Sequence, residues 1–233
     1  MKILIIKLSA IGDVLRTTTL LHGLKREFSG SEIYWLTSRG ATDLLKENPF
    51  ISMLLEFNRK NVKFLKQKRF DLLICLDKER DATLLASEII AKRKIGFGSD
   101  KNGRPAIFNK ESEYAYRLGI SDELKFRTNR KSYPEIIYEM CGLEYMRDRY
   151  ILNLSKPEIM QARHKLACSG INKEDFVIGL NTGAGARFAN KMWSFEKHKS
   201  LIEEMLEIGA HPGSSPGFLG RNTEPAIVSC GGR

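Results

Sequence analysis

Much that would announce a chemistry is missing from this chain of 233 residues. It holds no GxxxxGK[ST] run, which argues against a P-loop nucleotidase. Gly12 is the only glycine of the first strand-to-helix turn, so the GxGxxG dinucleotide fingerprint is absent there. Gly183-Ala184-Gly185 supplies only two of its three glycines further on. The four histidines, His22, His164, His198 and His211, lack metal-ligand spacing, and His22 and His164 read as structural residues on helices. The four cysteines, Cys75, Cys141, Cys168 and Cys230, form no CxxC pair. Thiols of a reducing compartment therefore fit better than disulfides. No apolar run approaches a membrane span, and Ile3–Ile6, cut by Lys7, is too short for a signal-peptide core. These absences predict a cytoplasmic protein.

What remains is ordinary globular composition, 42% hydrophobic, with an unusual charge. The net charge of +10 suits nucleic acid, an anionic membrane surface or a phosphorylated substrate, or is simply a solvated basic surface. The cations are scattered through Arg59-Lys60, Lys66–Arg69, Lys92–Lys94 and residues 127–131. No stretch interleaves them with aromatics as a nucleic-acid module would, so no nucleic-acid partner is expected.

The strongest pattern is the first 28 residues. Ile3–Ile6 is a short β-branched run suited to a buried strand, and Gly12-Asp13 read as the turn after it. Val14, Leu15, Thr18, Leu21, Leu24 and Phe28 then recur at helical spacing. The alternation continues with strands at 32–36, 51–57, 70–76 and 94–97, and helices at 41–47, 61–68 and 81–91. This predicts an α/β protein with a parallel sheet covered by helices. Residues 98–131 read as a long, partly ordered loop region on the ligand side, and 132–141 as a helix. After a linker near 152–157 and a helix to about Ser169, a second unit starts with a strand at 176–180 and a helix at 194–208. Residues 211–233, with three prolines and no periodicity, read as a disordered tail with a truncated, frameshifted or artificial origin.

Two stretches carry chemistry. Asp13 sits where ligands of an α/β sheet collect, beyond a strand's carboxyl end. Its position alone suits a helix N-cap. Alternatively it is a general base for a bound hydroxyl, with Ser9 and Gly12 allowing close approach to the backbone. The second stretch is the loop 181–193, with Thr182, Gly183, Gly185, Arg187 and Lys191 ahead of a helix. Small residues exposing N–H groups, two cations and a helix N-terminus make an anion site suited to a diphosphate.

In these two stretches, KILIIKLSAIGDVLRTTTLLHGLKREF with the following YWLTS, and NTGAGARFANKMWSFEKH, the sequence resembles glycosyltransferase family 9, the lipopolysaccharide heptosyltransferases. Ser194 stands where a proline is common in that family, and a family Asp-[Ser/Thr]-Gly-Pro-x-His segment has no counterpart. The resemblance implies a GT-B architecture of two Rossmann-like domains facing across a cleft, and a C-terminally truncated chain. The expected parts are an acceptor-side domain at 1–152, a linker and helix at 153–175, the start of a donor-side domain at 176–210, and the tail. It further implies inverting transfer of a heptose from ADP-heptose, a substrate rather than a cofactor, to a lipid-linked saccharide acceptor. Asp13 would be the base, Lys191 a donor-phosphate contact, and no metal would be bound. Peripheral contact with an anionic inner-membrane surface fits the charge. The competing reading is a noncatalytic anion-binding α/β module. A nicotinamide enzyme is disfavoured by the missing glycine fingerprint.

Overall fold

The computed structural model describes residues 1–171, 176–180, 192–207, 210–212 and 226–230. The chain forms two compact units, Met1–Asn153 and Leu154–Arg233. In the first, β1 (Lys2–Ile6) leads through α1 (Ile11–Thr17) and α2 (Leu20–Glu27) to β2 (Glu32–Thr37). A 3-10 turn at Arg39–Leu44, where a short helix was expected, precedes β3 (Met53–Glu56). Then come α3 (Arg59–Lys66), β4 (Arg69–Cys75), α4 (Arg80–Glu88) and β5 (Ile90–Ser99). The sheet order is β3-β2-β1-β4-β5, all parallel, so the order reverses between β1 and β4. Ligands of such sheets bind outside the carboxyl ends of the strands at that reversal.

The alternation along β1 shows why both faces are covered. Ile3 and Ile5 join a core with Val14, Leu20, Trp35, Ile74 and Tyr138. Leu4 and Ile6 point the other way, to Leu36, Leu65, Phe70, Leu73 and Leu85. An apolar residue at every position is what a two-sided parallel strand requires.

Two expectations need correction. The helix expected to run through residues 14–28 is broken at Thr18-Thr19. Thr17, Thr18 and Thr19 turn their hydroxyls back onto the carbonyls of Asp13, Leu15 and Arg16, at 2.7, 2.6 and 3.0 Å. Such bonds compete with the helical ladder, and three consecutive β-branched residues crowd it. Residues 98–131 are also more regular than a loop. They hold β6 (Pro105–Ile107), antiparallel to β5, then α5 (Glu113–Arg117) and a π-helical turn at Leu124–Thr128. Each piece is too short to show periodicity in sequence.

Helix α6 (Tyr133–Cys141) is bounded by local chemistry. Ser132 and Glu135 form a reciprocal capping box, Pro134 fills the first turn, and Gly142 ends the helix at φ +66°. It is tied to α2 by a buried hydroxyl: the Gly23 N–H donates to Tyr138 Oη at 3.3 Å. That hydroxyl also reaches Asp148 Oδ2 at 2.6 Å, and Arg26 holds Asp148 with two bonds of 2.7 and 2.8 Å. The Arg26 bonds come first among the causes that hold the Asp148 carboxyl below the usual carboxylate range. The stabilisation from this pair is therefore present above the unfolded carboxylate pKa and lost as pH falls through the lower folded value. Asp148→Asn should cost about 1.5 kcal/mol at neutral pH, the low end for a charge-assisted bond. The low end applies because Arg26 is 41% exposed and screened. Urea unfolding at pH 7 and pH 3 checks this, and the gap between variant and parent should narrow at the lower pH as the carboxyl takes up its proton.

The second unit holds α7 (Lys156–Cys168), β7 (Phe176–Leu180), α8 (Phe195–Glu207), β8 (Ala210–Pro212) and β9 (Ala226–Cys230). Ser155 and Glu158 cap α7 as Ser132 and Glu135 cap α6. Here the tail departs from expectation, because residues 210–212 and 226–230 are strands and β9 pairs antiparallel with both β7 and β8. The short run Ala226-Ile227-Val228 has the β propensity to join a sheet despite its glycine- and proline-rich surroundings. No helix among the described residues is long and apolar enough to cross a membrane.

Candidate active site

Asp13 does not cap its helix. Helix α1 begins at Ile11, its N-cap is Ala10, and no side chain bonds the first turn. The turn expected at Gly12-Asp13 lies earlier, through residues 7–10, where the chain leaves β1. Asp13 stands within the first helical turn, its N–H donating to the Ala10 carbonyl at 2.9 Å. Its side chain is 35% exposed and Oδ1 accepts from Arg16 Nη2. Oδ2 has no partner among the described residues, so one carboxylate oxygen is open to a hydroxyl. Ser9 and Gly12 are both exposed. A Cβ built on Gly12 would meet nothing within 4 Å, so the space over that backbone is open.

Arg16 links Asp13 to a groove of about 710 Å³ lined by Arg16, Lys125, Lys131, Tyr133, Tyr145 and Tyr150. The Arg16 guanidinium lies 4.7 Å above the Tyr133 ring, and Tyr133 Oη is 2.9 Å from Thr17 Oγ1. Burial pushes the Tyr133 phenol up, so it stays protonated. Lys131 is held by Glu139 at 2.7 Å and lies 4.5 Å over the Tyr114 ring. Half-buried Lys78 donates to the Ala115 carbonyl. Burial lowers its pKa, and facing Lys125 lowers it further. Cations beside tyrosine faces suit an anionic saccharide: guanidinium and ammonium groups take phosphate or carboxylate, and the rings take sugar C–H faces.

Sequence reasoning missed the centre of this region. Lys7 and Asp77 follow the two strands that flank the order reversal, and they form a buried ion pair, 5% and 2% exposed. Asp77 Oδ2 accepts from the Leu8 N–H and, at 3.4 Å, from the Ser9 N–H. Burial opposes the Lys7 ammonium, yet the Asp77 carboxylate in contact with it helps hold its pKa above the ordinary lysine value. The available signal was a charge of opposite sign just past each of two apolar runs, Ile3–Ile6 and Phe70–Leu76.

The expected donor-side residues, Thr182, Gly183, Gly185, Arg187 and Lys191, lie outside the described residues. The helix that follows them is described: the Ser194 hydroxyl accepts from the Lys197 N–H at 3.4 Å, completing the N-terminus of α8. Cys75 and Cys141 are buried free thiols pushed up to about 12 by desolvation, and Cys168 is free and exposed. His22 packs edge-on against Phe50 at 5.3 Å, and His164 sits 3.6 Å from the Cys168 sulfur. Among the described residues no group of three or more His, Cys, Asp or Glu is placed to hold a metal.

No protein-family model matches the chain. It is 30% identical over 106 residues to the lipopolysaccharide core heptosyltransferase OpsX of Haemophilus influenzae, covering 42% of this chain and 30% of that protein. It is also 30% identical over 117 residues to lipopolysaccharide heptosyltransferase 1 of Campylobacter coli, covering 46% of this chain and 33% of that one. The matched part thus spans about a third of each relative's length. Among solved structures, a glycosyltransferase family 9 protein from Veillonella parvula superposes with a TM-score of 0.67 at 19% identity, covering 89% of this chain and 60% of that one. The E. coli ADP-heptose heptosyltransferase II gives a TM-score of 0.59 at 18% identity, over 89% of this chain and 62% of that one. The chain is thus similar in sequence to lipopolysaccharide heptosyltransferases and has the fold of glycosyltransferase family 9 structures.

Proposed function

We propose that this protein is an inverting glycosyltransferase of lipopolysaccharide core synthesis, moving a heptose from ADP-heptose to an inner-core acceptor. The observation that carries the reading is the Asp13 carboxylate. It stands at the carboxyl end of β1 with one oxygen open, joined through Arg16 to a cationic, tyrosine-lined groove. The groove takes the acceptor, whose phosphates and carboxylates meet Arg16, Lys125 and Lys131. Asp13 accepts the proton of the acceptor hydroxyl as that oxygen attacks the anomeric carbon. The bond from that carbon to the diphosphate breaks on the opposite face, inverting the centre, and ADP leaves. In this reading Thr182, Gly183, Gly185, Arg187 and Lys191 hold the diphosphate and offset its developing charge. The nucleotide sugar is substrate, and no cofactor of the protein takes part. The basic surface brings the protein to the cytoplasmic face of an anionic membrane, where a lipid-linked acceptor lies.

Incubation with ADP-heptose and a Kdo-bearing lipid A acceptor tests the reading. Mass spectrometry should show the acceptor heavier by one heptose, with ADP released in equal amount. Acceptor binding with no transfer and no ADP binding would instead favour the noncatalytic anion-binding module.

A further inference from the structure

The Lys7–Asp77 pair lies beyond the sheet it touches. The β1–β4 ladder pairs Ile3 through Ile6 with Leu72 through Cys75. One more bond, from the Leu76 N–H to the Ile6 carbonyl at 3.0 Å, closes it. Everything the Asp77 carboxylate holds comes after that bond. Oδ1 accepts from Lys7 Nζ, and Oδ2 accepts from the Leu8 N–H and, more weakly, from the Ser9 N–H. Lys7 Nζ also donates to the Ser9 carbonyl, so the ammonium and the carboxylate both hold the same turn. The next carbonyl, that of Ala10, is the one on which α1 starts, accepting from the N–H groups of Asp13 and Val14, each at 2.9 Å.

We propose that Asp77 is a positioning residue: with Lys7 it fixes the turn through residues 7–10, and so fixes where α1 holds the Asp13 carboxylate at the groove. This rests on the reading of Asp13 as the base. Stability alone does not explain the pair. Desolvating two charges cancels most of their attraction, and apolar residues of similar volume commonly serve a core as well or better. Only the carboxylate, however, offers acceptors for two backbone N–H groups in a turn whose own residues, Ser9 and Ala10, are exposed. Backbone bonds tie the Lys7 N–H to the Leu36 carbonyl at 3.1 Å and the Leu8 carbonyl to the Ser38 N–H at 3.2 Å. Without Asp77, though, the Leu8 and Ser9 N–H groups lose their acceptor, and the turn beyond residue 8 opens locally while the sheet stays folded.

A paired replacement separates the two roles. In Lys7→Met/Asp77→Leu the core stays filled and uncharged, so thermal unfolding should stay close to the parent. Hydrogen exchange at the amides of residues 8–14 should nevertheless accelerate at least about tenfold, the loss of a charge-assisted bond. In the same variant kcat for transfer should fall about 10²-fold from misplacement of the base, with KM for the nucleotide sugar unchanged. Parent-like exchange at residues 8–14, or faster exchange with parent-like kcat, overturns the proposal and leaves the pair as packing. If the double variant does not fold, the nearly isosteric Asp77→Asn is measured by the same two readouts. Asp77→Glu, which keeps the charge, should recover part of the protection. If the parent transfers no sugar, the functional reading fails, and exchange at residues 8–14 still decides whether Asp77 holds the turn.

Discussion

Asp13→Asn should lower the transfer rate by about 10²–10⁴-fold, the range for loss of a general base. The substitution is nearly isosteric and leaves an oxygen for Arg16, so the groove should keep its shape and acceptor affinity should change little. The structure makes this a clean experiment because Asp13 is not the N-cap of α1; Ala10 is. A cap would have cost about 1 kcal/mol on removal, clouding any loss of activity. What remains is the carboxylate's favourable place in the first turn, worth about 0.3–1 kcal/mol in an exposed setting. A fall in kcat with nearly unchanged unfolding is the expected pair of results. Transfer by the variant at the parental rate would remove Asp13 from the mechanism and leave the groove as a binding surface.

The largest effect on folding should come from Gly96→Ala. Gly96 lies on β5 opposite Cys75, the last residue of β4, with φ at +91°. A Cβ built there would stand 2.0 Å from the Cys75 carbonyl oxygen, an impossible contact with backbone rather than with a movable side chain. Strain at that φ costs about 1–3 kcal/mol, and overpacking adds about as much again. Together these take a large part of a domain's usual stability. For a unit of this size the midpoint of thermal unfolding should drop by about 10 °C, as circular dichroism would read it. Gly12→Ala is the control. It has open space around the Cβ and a helical setting, so it should hold or slightly raise the midpoint. Because acceptor is read to approach over Gly12, the same control should raise the acceptor KM. An unchanged midpoint in Gly96→Ala would mean that β4 and β5 can shift apart at their carboxyl ends, which would also loosen Asp77.

How much of this was legible in the sequence differs from element to element. β1 and β4 were readable because both faces of a central parallel strand are buried, which leaves uninterrupted runs such as Ile3–Ile6. Helix α6 was readable from its apolar stripe, and its start from Ser132. The break between α1 and α2 was not, since a threonine's bond back to a carbonyl has no signature in hydrophobic period. β6 and the turns of 98–131 were hidden for another reason: elements of three to five residues are defined by what they pair with.

The sequence by itself determined the α/β class, the strand-turn-helix opening and the presence of Asp13 just past a strand's end. These depend on local spacing, and spacing is written along the chain. Only the tertiary structure decided that β1 and β4 are neighbours at the reversal of strand order, because nothing local ranks one parallel pairing over another. That pairing brings Lys7 to Asp77 across 70 residues, and the packing of α6 on α1 brings Arg16 to Tyr133 across more than a hundred. The structure also shows Asp13, positioned in sequence like a helix cap, as a partly exposed carboxylate with one oxygen unpartnered among the described residues. Buried charges must find partners and a carboxylate's neighbours govern its chemistry, and both depend on contacts between segments distant in sequence.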